Sequence, residues 1–254
     1  MRARMTRRAA VAGLVASAAL VVGAAPAEAA PGDATAHGAS LALSLPDHGT
    51  APSAPFAAAD ANGPVTGTSA GVDVPAVLST GAIGTSASRD EKTGGAHSAA
   101  SAADVRLDLL ASVTGGVSAD LVEARCSATQ KGLTGASELV GLDLGRLGAV
   151  DAAPAPGTTV GVDLRGAVVA ELVLNEQVRN ADGSLTVNAL RLTLLDSAHG
   201  SGDVVLASAT CGPAGLPVPM ASGAGLGAGL GLLALFAAPA AAVALRRRRE
   251  CTAV

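Results

Sequence analysis

The chain has 254 residues, 49% hydrophobic and 1% aromatic, with no Trp, no Tyr and two Phe, so a core must come from Val, Leu and Ala, and aromatic stacking platforms for sugars or bases are missing. Nine of the 17 Lys and Arg but 19 of the 21 Asp and Glu fall between residues 30 and 220, which leaves that stretch near −10 and argues against binding nucleic acid or anionic polymers through charge. High Ala, Gly and Arg with little Lys points, by association only, to an actinobacterial high-GC genome.

Residues 1–29 read as a signal peptide. Arg2, Arg4, Arg7 and Arg8 form a charged start, Ala9 to Ala25 an apolar stretch, and Ala27-Glu28-Ala29 a small-x-small cleavage pattern, with the cut after Ala29 or Ala30. Thr6-Arg7-Arg8 hints at twin-arginine export, but Ala9-Ala10-Val11 lacks the bulky consensus, so the general secretory route is expected. No Cys lies near the cut, so a lipoprotein anchor is excluded.

Residues 30–104 are an Ala/Gly/Ser-rich first part, partly strand and partly loop. A strand is expected at 39–45 and another at 72–83, whereas 89–104 reads as an exposed loop and 46–104 as the least regular stretch. Residues 105–213 carry a period-two pattern and are expected to form the core of an all-β, antiparallel β-sandwich. Val105, Leu107, Leu109, Ala111 and Val113 alternate with mostly polar neighbours, Gly115-Gly116 supplies a tight hairpin turn, and the strand 117–129 puts Val122, Ala124, Cys126 and Ala128 on one face. Further strands are expected at 160–164, 167–178, 184–195 and 203–210, with Asn180-Ala181-Asp182-Gly183 turning the hairpin of the two longest. Asp203, Val205, Ala207, Ala209 and Cys211 read as one face.

Residues 214–220 form a linker. Between Ala221 and Leu245 the chain is uncharged, and 25 helical residues span roughly 37 Å, enough for a ~30 Å hydrocarbon core. Arg246, Arg247, Arg248 and Arg249 follow as the stop-transfer run of a cytoplasmic tail, residues 246–254. This predicts a single-pass protein of the cell membrane with its N-terminal domain outside. Small residues at Gly223, Gly227 and Gly231 permit weak self-association, a spacing that genome composition explains equally well. Leu216-Pro217-Val218-Pro219-Met220 stands where a sortase pentapeptide would, without its Thr and Gly, which leaves wall attachment as the alternative to a membrane anchor.

Of three cysteines, Cys126 and Cys211 lie outside and Cys251 in the tail. Two exported cysteines on inward strand faces read as a disulfide tying two strands, and closing a loop of roughly 85 residues contributes about 4 kcal/mol in the chain-entropy model. His37, His48, His97 and His199 are scattered in loop-like sequence and read as solvated bystanders, so no metal site and no cofactor is expected. Asn175, Glu176 and Gln177, with Asn188 across the hairpin, are the one compact polar cluster; strand-end hydrogen bonding explains it better than ligand binding. Glu171 and Glu176, five apart, should face opposite sides of a strand, which argues against a paired acid–base role. No catalytic motif is present.

At Leu174-Asn175-Glu176-Gln177, at Leu185-Thr186-Val187-Asn188-Ala189-Leu190 and at Asp203-Val204-Val205-Leu206-Ala207-Ser208-Ala209 the sequence resembles the actinobacterial choice-of-anchor P family. These are exported surface proteins whose shared domain precedes varied C-terminal anchors. The likeness covers much of 107–213, and a looser one links the chain to sortase-anchored streptomycete surface proteins. The resemblance implies surface localisation and transfers no catalytic residue. The expectation is a non-enzymatic surface protein, structural or adhesive, with a protein or wall partner. The competing class is an exported hydrolase or ligand-binding receptor with an unrecognised site.

Overall fold

The computed structural model describes residues 30–46, 49–50, 55–195 and 200–217. The expected signal peptide (residues 1–29), His48, His199, the expected membrane span 221–245, Arg246 to Arg249 and Cys251 lie outside the described residues. Among the described residues no helix is long and apolar enough to cross a membrane.

The chain folds as antiparallel β-structure in two sheets. Its strands are β1 (Ala34–Leu45), β2 (Gly49–Thr50), β3 (Ala59–Asp60), β4 (Thr66–Ser69), β5 (Val72–Val74), β6 (Leu78–Thr80), β7 (Ile83–Asp90), β8 (Gly95–Leu107), β9 (Val117–Thr129), β10 (Gly132–Val140), β11 (Thr158–Leu164), β12 (Ala167–Arg179), β13 (Leu185–Leu194) and β14 (Ser201–Cys211). One helical turn, α1 (Ala111–Thr114), joins β8 to β9. Sheet I runs β11-β12-β13-β14-β1, with β2 and β3 sharing the far edge of β1. Sheet II runs β10-β9-β8, with β6 and β7 sharing the far edge of β8, β5 beside β6 and β4 beside β7. The two inner faces pack a Leu/Val/Ala core that includes Leu41, Leu107, Val122, Leu172, Leu190 and Leu206. Small residues let the sheets approach closely. A Cβ at Gly38 would overlap Cγ2 of Ile83 in the opposite sheet, and one at Gly135 would overlap Cγ2 of Val187.

The expected hairpin is present: β12 and β13 pair from Ala170↔Leu194 to Arg179↔Leu185, and Gly183 N–H closes the turn on the Asn180 carbonyl at 3.0 Å. Other expectations are corrected. Residues 95–104 are not a loop but most of β8, an inner strand of sheet II with Ala96, Ser98, Ala100 and Ala102 buried. Its inward residues are so small that alternation with Ser and His carries little hydropathy contrast. The expected strand 72–83 is the β5–β6 hairpin and the start of β7. The strand expected to reach Val113 stops at Leu107, because Leu110 adopts φ 63° and the chain turns through α1 before Gly115 and Gly116, at φ 86° and 92°. β10 was not anticipated. Its inward side chains are Leu133, Gly135, Ser137 and Leu139, of which only two are apolar and large.

A transverse fault crosses each sheet and explains the misread faces. In sheet I the register places Asn175, Ala189, Ala207 and Gly38 side by side on β12, β13, β14 and β1, and Asn175 and Ala207 both have φ 51°. No residue is inserted there, yet burial shifts phase in all four strands: Leu41, Leu43, Leu172, Leu192 and Val204 point inward on one side of the row, Ala36, Val187, Ala209 and Cys211 on the other. A left-handed residue reverses the pleat, so strict period-two reading fails past it. Asp203 and Val205 therefore share the outer face, while Ala207, Ala209 and Cys211 face the core. Sheet II repeats the device at Asp104 (φ 49°), opposite Asp120, with Gly81 and Gly141 flanking.

Entry and exit of the chain meet at one end, the base. Gly32 N–H donates to Pro213 O at 2.6 Å and Gly212 N–H to Asp33 O at 2.8 Å. The β7–β8 and β9–β10 turns lie at the same end, since Gly215 N–H reaches Gly94 O and Gln130 Nε2 reaches Gly215 O, and so does the β12–β13 turn, since Leu185 pairs with Cys211. The segment 141–157 crosses from sheet II to sheet I at one side, held by Leu139 N–H to Ala152 O and Gly157 N–H to Asn175 O, both 2.9 Å.

Candidate functional site

Cys126 on β9 and Cys211 on β14 are disulfide-bonded, with Cα atoms 5.7 Å apart and a sequence separation of 85. The bond joins sheet II to sheet I. Both cysteines are buried.

The polar cluster divides across sheet I. Asn175, in its left-handed conformation, points inward with Gln177. Asn175 Nδ2 donates to Pro154 O at 2.8 Å, and Gln177 Nε2 donates to Asn175 Oδ1 and to Gly135 O of β10, both at 3.1 Å. This pair fastens β12 to the crossing segment and to the opposite sheet. Glu176 faces outward and accepts from Asn188 Nδ2 at 2.6 Å and from Arg191 Nη1 at 3.2 Å. Because the pleat reverses at Asn175, Glu171 and Glu176 share the outer face, contrary to the five-residue spacing argument.

The register extends the outer cluster beyond the residues the sequence singled out. Glu176 lies opposite Asn188, Asn188 opposite Ser208, and Ser208 opposite His37, a polar row across four strands. Arg191 Nε adds an ion pair to Asp203 Oδ2 at 3.5 Å. Asn188 and Ser208 are buried, and desolvation holds the His37 imidazole below its ordinary pKa. His37 is therefore a strand residue that favours the neutral form, not a solvated bystander. His97 is also in a strand, its Nδ1 3.0 Å from Ser127 Oγ. His37, Ser208, Arg191 and Asp203 were missed because only register brings them to Glu176.

Glu176 is engaged by an amide and a guanidinium, and Ser208 and His37 make no hydrogen bond to each other among the described contacts. Sheet II carries a shallow open depression on its outer face, lined by Ser86, Ser101 and Glu123 over a floor that includes Gly84, Ala99 and Ala100. Glu123 is occupied there by a bidentate bond to Arg125, at 2.6 and 2.9 Å, which raises the arginine's pKa further. Among the described residues no group of three or more His, Cys, Asp or Glu is placed to hold a metal ion. No protein-family model, curated protein or solved structure matches the chain.

Proposed function

We propose that the chain is an exported, membrane-anchored cell-surface protein whose β-sandwich has a structural or adhesive role rather than a catalytic one. The observation that carries this reading is the buried disulfide between the two sheets. Such a bond forms and persists in oxidising compartments and is rare in the cytosol. The export-type leader and the apolar 221–245 span with its arginines agree with it, as does the resemblance to anchored surface proteins. With entry and exit at the base, an anchor after residue 217 leaves the opposite end of the sandwich free to meet a protein or wall partner. The non-catalytic reading is supported by the engagement of both carboxylate oxygens of Glu176 and of Glu123 by neighbouring side chains.

Fractionation tests the anchor. Detergent should extract the full protein from membranes, and deleting residues 221–254 should release the domain into the medium. Recovery only after wall digestion, at a mass lacking the arginine tail, would replace the membrane anchor with sortase attachment. Retention of the deleted form on cells would overturn anchoring by this span.

A further inference from the structure

We infer that proteolytic maturation creates a structural amino terminus at Ala30, whose ammonium group is held by Asp33 at the base of the sandwich; the inference rests on the export reading above. Ala30 N lies 2.8 Å from Asp33 Oδ2, and Asp33 N–H returns to Ala30 O at 2.9 Å. The other carboxylate oxygen of Asp33 is fixed from two sides, by Asn62 Nδ2 at 2.8 Å and by Arg89 Nη2. Arg89 Nε also donates to Gly32 O at 2.8 Å, and Gly212 N–H to Asp33 O, so the acceptor is built into both sheets and the C-terminal exit. Asp33's side chain is 19% exposed. It is aimed at the one backbone nitrogen that gains charge if the leader is cut after Ala29.

The contacts choose between the two candidate scissile bonds. A cut after Ala30 would remove the donor to Asp33 Oδ2 and the carbonyl that accepts Asp33 N–H. It would also place Glu28 at the third position before the cut, outside the small-x-small pattern, and would have to open the tertiary amide before Pro31. A cut after Ala29 keeps Ala27 and Ala29 in the two small positions. In that hydrolysis, water adds across the Ala29–Ala30 bond. Its oxygen completes the Ala29 carboxylate, the C–N bond breaks, and its proton leaves Ala30 as an amine that protonates to the ammonium. The catalyst is an export-linked peptidase acting on the extended chain, before Asp33 closes on the new end.

The test uses the full chain made in a host that exports it. Intact mass and N-terminal sequencing of the surface material should give Ala-Pro-Gly-Asp. The Ala30 amine, isotope-labelled, should titrate above the roughly 7.7–8.0 of a free α-amine, and should fall back in Asp33→Asn. An aminopeptidase specific for X-Pro bonds should remove Ala30 faster from that variant than from the parent. A start at Pro31, or an Ala30 amine with an unshifted titration in the parent, overturns the clamp. Equal trimming of variant and parent overturns it as well. An uncut chain retaining Arg2 to Arg8 instead sinks the export reading itself. Should Asp33→Asn fail to accumulate, the start site and titration of the parent still decide.

Discussion

Asn175 shows how much one side chain can do by pointing the less expected way. Its buried amide satisfies the Pro154 carbonyl and accepts from Gln177, while its backbone occupies the left-handed region that Asn tolerates better than Ala. Asn175→Ala should cost about 2 kcal/mol, from the orphaned carbonyl and the strained φ together, read as a shift in the urea midpoint. An unchanged midpoint would mean that the crossing segment is held elsewhere. His37 gives a prediction in pH. Its pKa is lowered from 6.5 by burial, so the unfolded chain takes up the proton more readily than the folded one. Its contribution is intact above the unfolded value and is lost as pH falls through the lowered folded value. His37→Gln should flatten the acid side of the melting-temperature profile; parallel profiles for parent and variant would remove His37 as the cause. Glu176→Gln should change stability by under about 1 kcal/mol, because Arg191 is 36% exposed and keeps Asp203 as a second partner.

At the scale of the element, the transverse faults set what was legible. The 117–129 strand was readable from Val117 and Val122 on its inner face and charged Glu123 and Arg125 on its outer one, and the 167–195 hairpin from its Val and Leu content and its Asn180–Gly183 turn. Residues 95–104 of β8 and the middle of β10 were not, since Ala, Ser and Gly fill their inward positions there, and a residue without bulk carries little hydropathy contrast even when buried. Nor does sequence mark a left-handed residue inside a strand when it is Ala207 rather than Gly or Asn. The outer row from Glu176 to His37 shares this limit: its members lie far apart in the chain and meet only through register. Gly38 lies on the fault in sheet I and admits Ile83 from sheet II. Gly38→Ala should therefore destabilise the sandwich by about 1–3 kcal/mol, and adding Ile83→Ala, which removes the Cγ2 that the new methyl meets, should cost less than the two single losses summed. Additive losses would place the strain elsewhere. Replacing Leu190, fully buried beside the fault, with Asp should abolish the β-sheet circular dichroism, because no partner awaits a charge there.

Over the whole molecule, the first third of the chain is no preface. β1 lies between β14 and the β2–β3 edge of sheet I, and β8 between β9 and the β6–β7 edge of sheet II, so neither sheet is complete without residues before 105. A fragment starting at residue 105 should fail to give a cooperative thermal transition, whereas the 30–217 fragment should give one. The disulfide adds the longest constraint. Breaking it by Cys126→Ala with Cys211→Ala should cost about 2–5 kcal/mol, read as a lower urea midpoint and a larger m-value, since the freed unfolded chain exposes more surface.

The placement of Cys211 has a mechanical consequence. Tension drawn through residues beyond 217 enters the domain at the last residue of β14, where it would peel that strand from β1 and β13 one hydrogen-bonded pair at a time. Past the backbone contacts of Gly215, Pro213 and Gly212, Cys211 is the first strand residue that such a force meets, and it is bolted to β9. The load therefore passes across the core into the neighbouring sheet before any pair of β14 has to open. Pulled by its C-terminal end in a force spectrometer, the oxidised domain should yield at high force as a unit, and the reduced one should unzip from Cys211 at low force.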